Sequence, residues 1–461
     1  MPSGPISHIR YISLTAGRAP RAQECRVTSP RPVQQFDQLD SAVDRAWITA
    51  QLQELIAIPS IGGSTAELRI QDWLAERWAD EQLQVDRWEV PLQTLQAEPT
   101  FPGMEVERTA AIGVLAQWGG TQAGPTLLFN GHTDVVPPGD LAAWQGDPFE
   151  PRLMDGPDGT VRIVGRGAAD MKAGLVAAWA ALRAVRDCGI DLAGNVLLAP
   201  VSGEEDGGLG TYALLKRLAE RDIQPTCCVV PEPTSLDIIP ANGGALTFRL
   251  TVQGQATHAS RRTEGVSALT AFLPVLAALE DFERERNANV DPLMQRWPIA
   301  YPLSIGTVQA GDWASTVPDL LTAEGRYGVA LGESVEQARA DFEAVVASAC
   351  AGHTWLREHP VQVQWWGGQF APGHTDPDHP VVHAVLRAHQ QLLSGTPQIY
   401  GGPYGSDLRL LSGLGNIPTI QYGPGDSKVA HGPDEWVALD EVVDCARVLA
   451  RLIVDTCGVK P

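Results

Sequence analysis

Apolar residues along this chain follow two rhythms. From Ser41 they recur at spacings of three and four, in "AVDRAWITAQLQELIAI" and then "TAELRIQDWLAERWADE", which predicts helices. Helical stretches such as "MKAGLVAAWAALRAVRD" and "GTYALLKRLAERD" lie between short unbroken apolar runs: "TLLFNG", "NVLLAPVSG", "TCCVVPEP" and "TIQYGPG". A run without polar alternation marks a strand covered on both faces, and strands alternating with helices predict a mostly parallel α/β sheet. Between Gly244 and about Gly367 the rhythm changes. "ALTFRLTVQG" alternates as a half-buried strand does, and after it come a helix in "GVSALTAFLPVLAALEDFERE", strands in "LSIGTVQAG" and "LLTAEGRYGV", a helix in "SVEQARADFEAVVASAC" and a strand in "VQVQWWG". That βαββαβ order is ferredoxin-like. Because α/β sequence resumes with "PVVHAVLRAHQQLLSG", the module reads as an insertion. The expected organisation is a tail over residues 1–38, an α/β domain over 39–244 and 368–461, and the inserted domain over 245–367.

Composition narrows the partners more than the chemistry. A chain of 461 residues exceeds what one core holds, which agrees with two domains. With 44% hydrophobic and 19% charged residues it is an ordinary soluble protein, and its formal charge of -21 argues against nucleic acid and anionic membranes as partners. Cys25, Cys188, Cys227, Cys228, Cys350, Cys445 and Cys457 are scattered and odd in number, as suits a reducing cytoplasm. No apolar run approaches the ~20 residues of a membrane helix. The Arg- and Pro-rich segment before Phe36 reads as a disordered tail or a misplaced start, with a transit peptide as a third reading.

Four predicted strands of the α/β part end on metal-ligating residue types. His132 follows the first, Glu204 and Glu205 the second, Glu232 the third, and His431 lies in the loop after the fourth. In open α/β sheets the carboxyl ends of the strands form the ligand site, so these residues are expected to converge. Asp134, two residues beyond His132 in extended chain, is placed to orient its imidazole. Asp170, in "GRGAADMKAG" at the start of a predicted helix, is a further candidate. Taken singly, each has a bland reading: an acidic turn in "SGEEDGG", a proline-rich loop in "PEPT", an exposed His in "AHGPDE". Taken together, converging carboxylates raise one another's pKa unless a cation sits among them. Two His and three carboxylates, with no Cys in position, suit zinc, with cobalt or manganese as alternatives, and if Asp170 bridges they hold two ions ~3.5–4 Å apart.

The ordered motifs "GHTDVV", "GRGAADMKAGL", "SGEED", "PEPT", "THAS" and "AHGPDE" resemble those of the metal-dependent amidohydrolases that include acetylornithine deacetylase, succinyl-diaminopimelate desuccinylase, aminoacylase and carboxypeptidase G. The resemblance spans roughly Asp40 to Val454. It implies that Asp170 bridges two metals, with Glu205 and His431 on one and His132 and Glu232 on the other. It further implies that Asp134 partners His132, that Glu204 is the general base, and that the inserted module is a lid through which a homodimer forms. His258, in "QGQATHASRR", would then reach over the metals from the other subunit. Arg326 and Ser406 are the candidate substrate-binding residues. There are departures: Ser315 stands where the family often has Asn, and Gly328 where its carboxylate-binding Arg usually falls. Arg326, on the same strand face, either substitutes or is a plain surface residue.

The function so implied is hydrolysis of a linear amide in a small N-acyl compound. The alternatives are a dipeptidase or carboxypeptidase, an N-formyl amine deformylase whose substrate lacks a carboxylate, and a metal-binding protein without catalysis.

Overall fold

The computed structural model describes residues 38–120 and 124–461, so the expected tail lies outside the described residues except for its last position. The four unbroken apolar runs form the parallel centre of a nine-stranded sheet, in the order Asn195–Val201, Thr126–His132, Cys227–Val230, Thr419–Gln421. All residues of these strands are buried, which is why their sequences show no alternation. Antiparallel strands extend both edges: Gln84–Glu89 and Ile112–Gly119 on one side, Ile238–Asn242 and Gly373–His374 on the other.

Helices cover the sheet. Ala173–Asp187 and Leu439–Cys457 pack against each other and share one core with the strands, in which Trp179 is buried beneath Trp47, Trp73 and Trp78. The first of these helices also positions the site. A Cβ at Gly174 would fall 1.8 Å from the Pro231 carbonyl oxygen, so only glycine lets the helix meet the turn that carries Glu232.

The segment from Gly244 to Phe370 builds a separate four-stranded antiparallel sheet, in the order Leu303–Ala310, Leu320–Val329, Gly244–Gln253, Gln362–Phe370. Helices Ala268–Arg286 and Val335–Gly352 pack on it, giving the expected βαββαβ order and a core of its own around Phe248, Tyr327 and Phe342. Its last strand runs past residue 367 to Phe370, and that extension carries Phe370 to the wall of a cavity. The strand Leu303–Ala310 is an edge, and it is mostly exposed.

Candidate metal centre

The site begins where the buried strand Thr126–His132 stops. His132 Nδ1 lies 2.9 Å from the main-chain oxygen of Asp134. A ring nitrogen facing a carbonyl carries the proton, so Nε2 is left to present a lone pair. Nε2 faces Asp170 Oδ1 at 2.9 Å and Glu232 Oε2 at 3.9 Å.

The role expected of the Asp134 carboxylate needs correction. Its Oδ1 is 3.8 Å from His132 Nδ1, and the carboxylate instead accepts the main-chain N–H groups of Glu204 (3.4 Å) and Glu205 (3.2 Å). Uncapped amides of a turn bind an anion better than a ring that a carbonyl already satisfies. Asp134 therefore orients His132 through its backbone and holds the Glu204–Glu205 turn through its side chain.

Asp170 sits in a short π-helical stretch, Ala168–Lys172, where its own backbone is extended (φ -112°, ψ 98°). Glu435 holds that stretch from below. Its buried carboxylate accepts from the N–H groups of Gly167, Ala169 and Asp170 at 3.1, 2.9 and 3.0 Å, and from Arg166 Nη1 at 2.7 Å. Asp170 can then divide its oxygens: Oδ1 faces His132, while Oδ2 lies 3.5 Å from His431 Nε2. His431 Nε2 is also 3.1 Å from Glu205 Oε2, and His431 adopts a left-handed backbone (φ 61°) that side chains other than glycine rarely take. Strain of this kind collects at functional sites.

Asp206 completes the acidic turn. It forms a buried triad with Arg108 and Glu67, in which Arg108 Nη2 is 2.8 Å from each carboxylate. The turn is thus held from two sides, by Asp134 and by Arg108.

The donor atoms of His132, Asp170 and Glu232 lie within 4.8 Å of one another, as do those of Asp170, Glu205 and His431. The two groups share Asp170, the only member with an oxygen in each. Burial pushes the Glu232 carboxyl up to about 8 and that of Glu205 above its ordinary range. For His132, desolvation is outweighed by the bond to Asp170 and the surrounding acids, which raise its pKa well above the ordinary value, and a cation held by Nε2 would take the place of the proton there. The bond to Asp170, then that to Glu205, raises His431 to about 10. Protein groups alone leave these acids short of positive charge. Nitrogen and carboxylate donors in two sets joined by one carboxylate fit two divalent cations.

Beside the ligand groups lies a cavity of about 460 Å³. Glu204 lines it, belongs to neither ligand group, and is held well above the usual carboxylate range by burial. Arg326 and Ser406 also line the cavity. The charges acting on Arg326 are those of Glu204 and Glu105. At Gly328 a Cβ would lie 2.9 Å from Tyr301 Cα and 3.0 Å from Pro302 N, so backbone fills the space an arginine there would need. The Ser406 hydroxyl is committed within the protein: it faces Asn242 Oδ1 at 3.3 Å and accepts from Gln421 Nε2 at 2.5 Å and Leu408 N at 3.2 Å. His258 is exposed, bonds Ser260 Oγ at 2.7 Å, and does not line the cavity of its own chain.

Two residues of this site escaped the sequence reading. Glu435 closes the same "AHGPDE" motif as His431, and a second acid four residues after a ligand was a usable signal. Glu105, in "FPGMEVER", lies on a loop without periodicity, and nothing in the sequence singles it out.

Comparison with known proteins agrees with this geometry. Residues 128–455 match the family described as Peptidase family M20/M25/M40. The chain is 27% identical over 419 residues to the N-formyl-4-amino-5-aminomethyl-2-methylpyrimidine deformylase of Bacillus subtilis, covering 85% of this chain and 90% of that protein. It is 31% identical over 351 residues to the succinyl-diaminopimelate desuccinylase of Gluconacetobacter diazotrophicus, covering 73% and 83%. Among solved structures it is similar to a dinuclear metal-binding M20 peptidase of Bacillus subtilis, with a TM-score of 0.57, 15% identity, and coverage of 90% of this chain and 99% of that one.

Proposed function

Because the chain belongs to Peptidase family M20/M25/M40, we propose that it is a dinuclear metal-dependent hydrolase cleaving the linear amide of a small N-acyl compound. The observation that carries this reading is the shared carboxylate: Asp170 turns one oxygen toward each histidine, beside a buried glutamate that is free of both groups. His132, Glu232, Asp170, Glu205 and His431 would hold the ions, with zinc first among those that suit nitrogen and carboxylate donors. When bound, the metals supply Lewis acidity that acidifies water and polarises the acyl group. Glu204 takes the proton from the attacking water, and its burial raises its basicity for that transfer. It then returns the proton to the leaving nitrogen. A homodimer through the inserted module brings His258 of a second copy over the cavity. The exposed edge strand Leu303–Ala310 and the exposed Leu269, Leu273, Val308, Trp313 and Leu320 support that arrangement. A cytoplasmic setting agrees with the scattered, odd-numbered cysteines of the chain.

One observation favours a narrower second reading, an N-formyl amine substrate without a carboxylate. Gly328 leaves no room for an arginine, and the relative matched over the largest share of this chain among those named is a deformylase. Assaying the metal-loaded protein against N-formyl, N-acetyl and N-succinyl amines and dipeptides tests both readings. Release of free amine from the N-acyl compounds is expected. Hydrolysis of dipeptides at least ten times faster than any N-acyl amine would place it with the peptidases instead.

A further inference from the structure

Glu105 reaches the cavity from a loop that the catalytic turn itself secures. The Glu105 and Val106 N–H groups donate to Asp206 Oδ2 at 3.1 and 2.8 Å, and Asp206 directly follows Glu205. The Glu105 side chain is anchored at one end only. Oε1 accepts from Thr247 Oγ1 at 2.9 Å and from Gly368 N at 3.0 Å, both in the inserted sheet. Oε2 has no protein partner among the described residues, although Glu105 lines the cavity.

Its neighbours define what that oxygen faces. Thr247 pairs in register with Arg326, which places Glu105 beside the arginine. Arg326 itself has no ion-pair partner among the described residues, and the carboxylates whose charges act on it are Glu204 and Glu105. Phe370 and Tyr404 add aromatic wall. The Phe370 ring is fixed by the Arg409 guanidinium, 4.1 Å from its centroid, and by Gly405, where a Cβ would lie 2.6 Å from the ring. Tyr404 donates its hydroxyl to Gln421 Oε1 at 3.2 Å, so its polar end is engaged within the protein. A flat apolar wall with one free carboxylate oxygen matches a planar amine that carries N–H donors. A carboxylate at this point would face the like charge of Glu105.

We propose that Glu105 is a specificity-determining residue, whose Oε2 accepts an N–H of an amino-substituted aromatic amine and whose charge offsets the attraction that the neighbouring Arg326 would exert on an anionic one. The inference rests on the deacylase reading and names the class of its leaving group. Glu105→Gln tests it. The glutamine oxygen can still accept from Thr247 and Gly368, while its amide puts a donor where Oε2 now accepts.

The measurement is kcat/KM of metal-loaded protein on two formamides of similar size, one of an aminomethyl-aminopyrimidine and one of an amino acid. The natural protein is expected to prefer the first. In Glu105→Gln that preference should fall by about 10–100-fold, the scale of a lost hydrogen bond to a charged group, with metal content unchanged. Thr247→Val, which removes one of the two donors to Oε1 and keeps the carboxylate, should lower it less, and serves if the glutamine variant fails to fold. An unchanged ratio in a folded variant overturns the role of Glu105 and leaves the deacylase reading standing. If the natural protein hydrolyses neither formamide, the N-formyl reading fails, and the deacylase reading is decided by the N-acetyl and N-succinyl amines. Calorimetric binding of the free aminomethyl-aminopyrimidine then decides for Glu105: weaker binding to Glu105→Gln upholds its role, and equal binding overturns it.

Discussion

Glu204→Gln will retain its metals and lose about 10²–10⁴-fold in kcat, the range for removal of a general base. Glu204 is buried, faces the cavity and stands outside both ligand groups, so its loss removes proton transfer and no coordination. Its neighbour must behave differently. Glu205→Gln replaces an oxygen 3.1 Å from His431 Nε2 and should lose activity and metal together. Paired elemental analysis and kinetics separate the two. If both variants keep full metal and activity, the assignment is wrong; if they behave in reverse, the roles are exchanged.

His258→Ala should lower kcat by about 10²–10³-fold with little change in KM, because a donor to the oxygen that becomes negative acts mainly in the transition state. His258 is exposed and does not line the cavity of its own chain, so the proposed role is one exerted across a dimer. Mixing inactive His258→Ala with inactive Glu204→Gln should then restore part of the activity, since a heterodimer assembles one site with both groups intact. An active monomer, or normal kcat in His258→Ala, would remove His258 from the mechanism.

The parallel centre of the fold was legible because full burial leaves an unmistakable mark: seven consecutive buried positions in Thr126–His132 tolerate no alternation. The antiparallel edge strand Gln84–Glu89 was not, since "QVDRWE" is half exposed and its pairing depends on a distant partner, Ile112–Gly119. The ligand residues could be found because strand ends in such sheets face one site. How they are held could not. Whether Asp134 meets His132 by its carbonyl or its carboxylate depends on which donors compete for that carboxylate, and those donors lie about seventy residues away in sequence. The Arg108–Glu67–Asp206 triad and the hold of Glu435 on Asp170 are equally non-local. The lack of an arginine at position 328 was visible as a departure, and its cause, the packing of Tyr301 and Pro302, was not.

Metal stoichiometry tests the central claim most directly. Protein dialysed against zinc or cobalt and freed of loose ions should carry close to two ions per chain. Asp170→Asn should lose more than one of them, because Asp170 alone serves both groups. Chelation should also lower the melting temperature, since bound ions stabilise only the folded state. One ion or none per chain at saturation, in folded protein, would contradict the shared-carboxylate centre.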